Sequence, residues 1–384
     1  MLKKRKLMKI LIVHNIFWSH YKAAVFTELY KKCKEEGVCL EVVHVAKTQQ
    51  ARQFLSGVDE KLHAYPHKIL FGEPLERINL FRRIVALVRI LASCKPDVLM
   101  VSGYQDAAFL LSAYIAKIHG AKIVMMSDTT CVDRPRKPAI EFVKAILLKP
   151  FDLFFCYGER AREYLTSLGI KRNKVKIRVQ ATQNEAIRDM YLKSKDCLRE
   201  KFCKRNFIYV GRFSPEKNLK TLIKVFDSIK TDKWGLILVG DGPEKKDLIS
   251  LSDELQSKNI FFVGSKSWRD VIPYYASADA LVLPSLSEPW GLVVNEAMLC
   301  ELPVIVSDRC GCVPELVREE SNGWIWKPQD TLEMKDILKD IIEGKYDLSS
   351  MGKESFKIAR SFSPQLSADQ ILQGIKSLFF REYV

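Results

Sequence analysis

The stretch ADALVLPSLSEPWGLVVNEAM, Ala278–Met298, decides the fold. It opens on Ala278–Pro284, an apolar run rich in Leu and Val on both faces. Parallel strands covered by helices on two sides read this way. A Pro-Trp-Gly turn follows, and helical periodicity begins near Gly291. Two carboxylates stand eight positions apart, Glu288 before the helix and Glu296 inside it. Gly291 and Leu292 present backbone N–H groups at the helix start, and such groups attract an anionic oxygen. A carboxylate accepts hydrogen bonds from paired hydroxyls. The combination suits a ligand that carries both phosphate and many hydroxyls, a nucleotide-sugar. The alternative reading makes Glu288 a helix cap and Glu296 half of a surface ion pair.

The same strand–turn–helix unit recurs on either side. NFIYVG (Asn206–Gly211), WGLILVG (Trp234–Gly240), NIFFVG (Asn259–Gly264) and PVIVSD (Pro303–Asp308) each end near Gly, Pro or Asp and lead into a helical pattern. An earlier series has strands at Lys9–His14, Leu40–Val45, Asp97–Val101, Lys122–Met126 and Asp152–Cys156. Helices at Tyr21–Glu36, Ile78–Ser93 and Gln105–Ile118 lie between them. Two such series predict an α/β protein with two doubly wound domains, residues 1–200 and 201–362. The polar stretch from about Gln180 to Arg205 is the linker candidate. Residues 363–384 form a C-terminal helix with Ser363 as cap and Pro364 at its first position; a return to the N-terminal domain is one place for it. Ligands of such sheets bind beyond the carboxyl ends of the strands, so the cleft between the domains is the expected site.

Two further loops carry chemistry. In GRFSPEKN (Gly211–Asn218), Gly211 lets the chain leave its strand. Arg212 and Lys217 then lie five residues apart ahead of a helix, the spacing of an anion clamp. In GDGPEKKDL (Gly240–Leu248), Gly242 and Pro243 make a tight turn that brings backbone near a ligand or simply caps the next helix.

The net charge of +15 is one-sided. Residues 1–180 hold 32 Lys and Arg against 16 Asp and Glu, and the rest hold 29 against 30. A field of this kind points to an anionic partner. INLFRRIVALVRILASCK (Ile78–Lys95) places Phe81, Ile84, Val85, Val88 and Leu91 on one face, with Arg82, Arg83 and Arg89 towards the other. AIEFVKAILLK (Ala139–Lys149) repeats the theme. Peripheral contact with an anionic membrane through the basic half is therefore an expectation. Nucleic acid is not, because the chain lacks aromatic-basic interleaving, a zinc module and a recognition-helix motif. Ten cysteines without C-x-x-C pairs fit a reducing, cytoplasmic compartment, and Cys310-Gly311-Cys312 has no flanking histidines, so no metal site is expected. The opening MLKKRKLMKILIVHNIF has too short an apolar run for a signal peptide and reads as a first buried strand.

YVGRFSPEKNL, VGDGPE, FVG, LPSLSEPWGLVVNEAM, LPVIVSD and NGWIW, in this order over about residues 205–326, resemble the C-terminal domain of a family-four retaining glycosyltransferase. The resemblance implies the GT-B fold, two Rossmann-like domains facing a central cleft. It implies transfer of a sugar from a nucleotide-diphosphate sugar to a hydroxyl of a glycan or lipid-linked acceptor, with retained anomeric configuration and without a metal or other cofactor. By matching position, Arg212 and Lys217 hold the donor diphosphate and Glu288 faces the donor sugar. Glu296 binds the ribose hydroxyls, and Gly291 and Leu292 touch sugar and phosphate. Backbone near Gly264 and Ser265 meets the base. The acid after KIVMMS, Asp128, orients or deprotonates the acceptor hydroxyl; turn chemistry in SDTT is its plainer role. HNIFWSHYKAAVFTEL (His14–Leu29) lacks the family's glycine pair, and its His20-Tyr21-Lys22 is read as facing the cleft on the acceptor side. Other GT-B enzymes, such as a nucleotide-sugar epimerase, share the fold.

Overall fold

The computed structural model describes residues 7–50, 59–133, 136–194 and 197–379. Its first sheet contains β1 (Lys9–Ile16), β2 (Cys39–Ala46), β3 (His67–Phe71), β4 (Val98–Ser102), β5 (Lys122–Ser127), β6 (Leu153–Cys156) and β7 (Val175–Ile177). The second contains β8 (Arg205–Val210), β9 (Trp234–Val239), β10 (Ile260–Gly264), β11 (Ala280–Leu283), β12 (Val304–Ser307) and β13 (Gly323–Trp326). The orders are β3-β2-β1-β4-β5-β6-β7 and β10-β9-β8-β11-β12-β13, and every pairing between them is parallel. Each order reverses beside its first strand, so each sheet has a switch point, between β1 and β4 and between β8 and β11.

In the first domain, α1 (His20–Glu35) covers one face of the sheet. The other face carries α2 (Leu80–Cys94), α3 (Ala107–Ile118), α4 (Pro138–Leu148) and α5 (Gly158–Ser167). The central strands are buried along their length because both faces are covered, which is why they read as unbroken apolar runs. β3, β7 and β13 escaped the sequence reading. All three are edge strands and short: β3 has no fully buried position, β7 is three residues long, and β13, though mostly buried, is only four.

The expected linker holds a helix, α6 (Asn184–Ser194), which buries only Ile187 and Tyr191. Its Arg188 pairs with Glu301 at 2.7 Å and so ties the linker to the second domain. That domain continues with α7 (Leu219–Ser228), α8 (Lys245–Glu254), α9 (Ile272–Ala276), α10 (Leu292–Leu299), α11 (Val313–Leu316), α12 (Thr331–Ile342) and α13 (Leu348–Ala359). The last helix, α14 (Pro364–Lys376), lies on α1 in the first domain. Its Ile371, Leu372 and Ile375 join Phe26 and Leu29 in one core, and Asp369 pairs with Lys32 at 2.5 Å. Ser363 caps it by accepting the Leu366 N–H at 3.1 Å. The chain thus crosses twice between the domains. The expected helical residues beyond 379 lie outside the described ones.

Candidate functional site

At the switch point of the second sheet, the loops after β8 and β11 lie side by side. The Leu286 N–H donates to the Glu216 carbonyl at 2.8 Å. Lys217 Nζ meets the Glu288 carboxylate. Arg212 Nη2 donates to Glu216 Oε1 at 2.6 Å, and Ser214 Oγ donates to the same oxygen at 2.7 Å. Two cations and two acids therefore alternate across the loops. Burial works to raise the Glu216 carboxyl, but the hydrogen bonds from Ser214 and Arg212 hold it below its ordinary range. Glu216 was not singled out in the sequence. Its only signal there is its place in the same GRFSPEKN loop, where an acid reads as ordinary first-turn chemistry. An incoming pyrophosphate would meet two cations that already hold carboxylates of the same charge, so it would compete for a prepared anion geometry.

The acid loop is fixed from behind. The Gly311 N–H donates to the Glu288 carbonyl at 2.9 Å, and the Cys312 N–H to the Trp290 carbonyl at 3.1 Å. A Cβ on Gly311 would lie 1.9 Å from the Pro289 oxygen, which accounts for the glycine between the two buried cysteines. Gly291 precedes the first turn of α10, and Leu292 begins it. About one turn on, Glu296 is buried and accepts the Tyr275 hydroxyl at 3.1 Å. Burial pushes its carboxyl up to about 7.

The glycine turn after β9 is held by the loop after β8. The Gly211 N–H donates to the Val239 carbonyl at 3.0 Å and the Phe213 N–H to the Asp241 carbonyl at 2.9 Å. A Cβ on Gly240 would stand 1.8 Å from the Gly211 oxygen. Loop-to-loop approach is thus enough to require this glycine. Gly240→Ala is expected to cost roughly 2 kcal/mol of stability, read as a lower urea midpoint. An unchanged midpoint would show that the loops part freely.

A cavity of about 840 Å³ lies between the domains. Gly211, Arg212, Gly242, Ser265 and Glu296 line it from one side, and Trp18, His20 and Asp59 from the other. Among the described residues, two contacts join the domains at this cavity. The His20 ring stacks on Trp268 with centroids 5.7 Å apart and planes 11° apart, and Arg269 pairs with Asp59 at 2.8 Å. Neither was legible in the sequence, because each joins residues more than 200 positions apart. Lys217, Glu288, Gly291 and Leu292 stand outside this lining, and Gly264 sits behind it, its carbonyl accepting the Gly240 N–H at 3.0 Å.

A second cavity of about 840 Å³ lies at the switch point of the first sheet. Asp128, read from the sequence as the acceptor-side group, lines this cavity, exposed just after β5. Tyr21 and Lys22 line this cavity, while His20 lines the first, so the tripeptide divides between the two. Lys22 is the functional-looking group whose setting the sequence did not disclose. Its Nζ donates to the Tyr157 hydroxyl oxygen at 2.5 Å, and Arg178 Nη2 donates to the same oxygen at 2.5 Å. Burial, and then the Arg178 charge, push the Lys22 ammonium well below its ordinary value. Pro289, next to Glu288, lines this cavity too, and Ser287 donates to the Asp133 carbonyl, so the acid loop closes against the first domain.

Four of the six histidines, His14, His44, His63 and His67, gather around Tyr65 in the first domain. Burial holds His44 down at about 3 and His63 at about 4, so both are neutral rings in a polar-aromatic core. Among the described residues, no group of three or more His, Cys, Asp or Glu side chains is placed to hold a metal ion. No described helix is long and apolar enough to cross a membrane.

Residues 198–357 match the family of glycosyl transferases group 1. A segment of 149 residues is 33% identical to the sulfoquinovosyl transferase SQD2 of Arabidopsis thaliana, over 38% of this chain and 28% of that one. Another of 175 residues is 26% identical to the N-acetyl-alpha-D-glucosaminyl L-malate synthase of Bacillus anthracis, over 45% of this chain and 44% of that one. The chain thus spans less than half the length of both curated relatives. Across whole chains, the crystal structure of Anabaena HepE in complex with UDP superposes with a TM-score of 0.75 at 19% identity, covering 96% of this chain and 100% of that one. WaaG, a glycosyltransferase involved in lipopolysaccharide biosynthesis, gives 0.67 at 13% identity over 95% and 99%. The architecture is the GT-B fold.

Proposed function

We propose, from a chain whose residues 198–357 match the glycosyl transferases group 1 family, that the protein moves a sugar from a nucleoside-diphosphate sugar to a hydroxyl of a glycan or lipid-linked acceptor. One observation carries the reading: Arg212 and the buried Glu296 line a single interdomain cavity, with Lys217 paired to Glu288 on the adjoining loop.

In this reading the diphosphate of the donor lies against Arg212 and Lys217. As the bond from the anomeric carbon to the diphosphate oxygen lengthens, negative charge gathers on that oxygen. The two cations and the N-terminus of α10 at Gly291 and Leu292 stabilise it there. They supply the charge that a metal supplies elsewhere, so turnover without added metal is expected. Glu296 accepts the ribose hydroxyls, Glu288 faces the donor sugar, and the backbone at Gly264 and Ser265 meets the base. The acceptor occupies the second cavity, where Asp128 orients its hydroxyl or takes its proton. Attack from the face that the diphosphate leaves retains the anomeric configuration. The site belongs on the cytoplasmic side, with the basic half against an anionic membrane.

Thermal melts with UDP-, GDP- and ADP-sugars in the presence of a chelator test this. One base class is expected to stabilise the protein by about 2.7 kcal/mol at roughly a hundredfold excess over Kd, with slow release of nucleoside diphosphate. Absence of both stabilisation and release with all three would end the proposal.

A further inference from the structure

Helix α4 has its amphipathic faces reversed. Its only charged side chains, Glu141 and Lys144, turn inward. Lys144 Nζ donates to Glu141 Oε1 at 2.7 Å and to the Tyr164 hydroxyl at 3.1 Å, and that hydroxyl donates to Glu141 Oε2 at 2.7 Å. The apolar side chains turn outward: Ile140 is 50% exposed, Phe142 68%, Val143 53% and Ile146 56%. Leu148 alone is fully buried among the described residues of the helix. A helix that packs on a sheet in water does the opposite. A contiguous apolar surface of this kind marks an interaction site.

The helix starts at the rim of the second cavity. Arg136, two residues ahead of it, pairs with Asp133, which lines that cavity. Tyr104, another lining residue, lies under Lys144, 5.4 Å from ring centroid to Nζ. Across the cavity, Leu80 on α2 is both lining and exposed, and Phe81 beside it is exposed. Exposed cations flank the layer, Lys137 and Lys149 at the two ends of α4. A second copy docked face to face would set these cations against their own kind. An anionic surface would not.

The sequence expectation of membrane contact covers both basic amphipathic stretches, Ile78–Lys95 with α2 and Ala139–Lys149 with α4. On α2, Arg82 pairs with Glu73 at 2.7 Å and Arg83 with Asp106, and Leu87 and Leu91 are buried against the sheet, while Leu80, Phe81 and Arg89 stay exposed.

We propose that α4 seats the first domain on an anionic bilayer, and that the second cavity takes the polar head of a membrane-borne, amphiphilic acceptor. The second half of this statement rests on the glycosyl-transfer reading; the first half does not. With α4 lying at the boundary of headgroups and acyl chains, an acceptor anchored in the bilayer reaches Asp128 without leaving it.

Full-length wild type and a Phe142→Ser, Val143→Ser, Ile146→Ser variant would be sedimented with vesicles of phosphatidylcholine alone or containing about a third phosphatidylglycerol. Donor hydrolysis without acceptor would be measured on the same samples. Wild type is expected to partition onto the anionic vesicles and the variant roughly tenfold less or weaker still, with equal hydrolysis in both. A Lys137→Gln, Lys149→Gln variant, which leaves the apolar face intact, is expected to lose binding chiefly at low salt. Equal partition of wild type and the serine variant would overturn the seat. So would a wild-type dimer that the serine variant converts to monomer without vesicle binding, since a second copy would then cover α4. Vesicle binding with no hydrolysis in any sample would overturn the transfer reading, and the acceptor with it, while leaving the seat standing.

Discussion

Arg212→Ala and Lys217→Ala are each expected to lower turnover by about 10²–10³-fold, equivalent to about 2.7–4 kcal/mol of lost transition-state stabilisation. The effect should fall on kcat more than on KM, because the charge they meet grows as the diphosphate departs. Both residues also hold carboxylates in the free protein, Arg212 that of Glu216 and Lys217 that of Glu288. Lys217→Ala leaves Glu288 mostly covered and unpaired, so some loss of stability accompanies it. Adding Glu288→Gln should return that stability without returning turnover. Arg212→Lys should recover part of the loss, since it keeps the charge but loses the fork that reaches both Ser214 and Glu216. Normal turnover with a lowered melting temperature would mean that the two cations are only structural.

Glu296 should make both stability and nucleotide affinity depend on pH. Burial raises its carboxyl from an ordinary 4.5 to about 7 in the folded protein. The folded chain therefore holds this proton more tightly than the unfolded chain does. Its stabilising contribution is complete below the ordinary value and is lost as pH rises through the folded one, a change of roughly 3 kcal/mol. Glu296→Gln should flatten that slope in urea titrations. Donor hydroxyls bonded to the carboxylate favour its charged form, so nucleotide binding should release a proton and tighten from about pH 6 to about pH 8. Calorimetry in two buffers of different ionisation enthalpy reads the proton directly. Affinity that is flat with pH, or the same in Glu296→Gln, would remove Glu296 from the ribose site.

Much of this site was legible because its residues are few and local. Arg212 and Lys217 lie in one loop, and Glu288 and Glu296 flank one turn. The strands that precede them are apolar on both faces, which marks them as interior and parallel. What was missed has a common cause. Glu216 looked like first-turn chemistry until the fold brought Arg212 and Ser214 onto it. The turn at Gly240 and Gly242 read either as a ligand loop or as a plain helix cap, and the close approach of the Gly211 carbonyl is itself enough to demand the glycine at 240. α6 was hidden in a polar linker because two buried side chains give too weak a period.

Sequence alone determined the α/β class, the two strand–helix series and the position of the candidate chemistry just after strands. Periodicity and turn chemistry are local properties, written in residues a few positions apart. Only the tertiary structure decided which partners meet across the cleft, as His20 does Trp268, and that Asp128 stands in a cavity apart from Arg212. It also decided which side of α4 is covered. A helix apolar on most of its circumference does not say which face will meet the sheet, and here the inward face went to the two charges that Tyr164 holds.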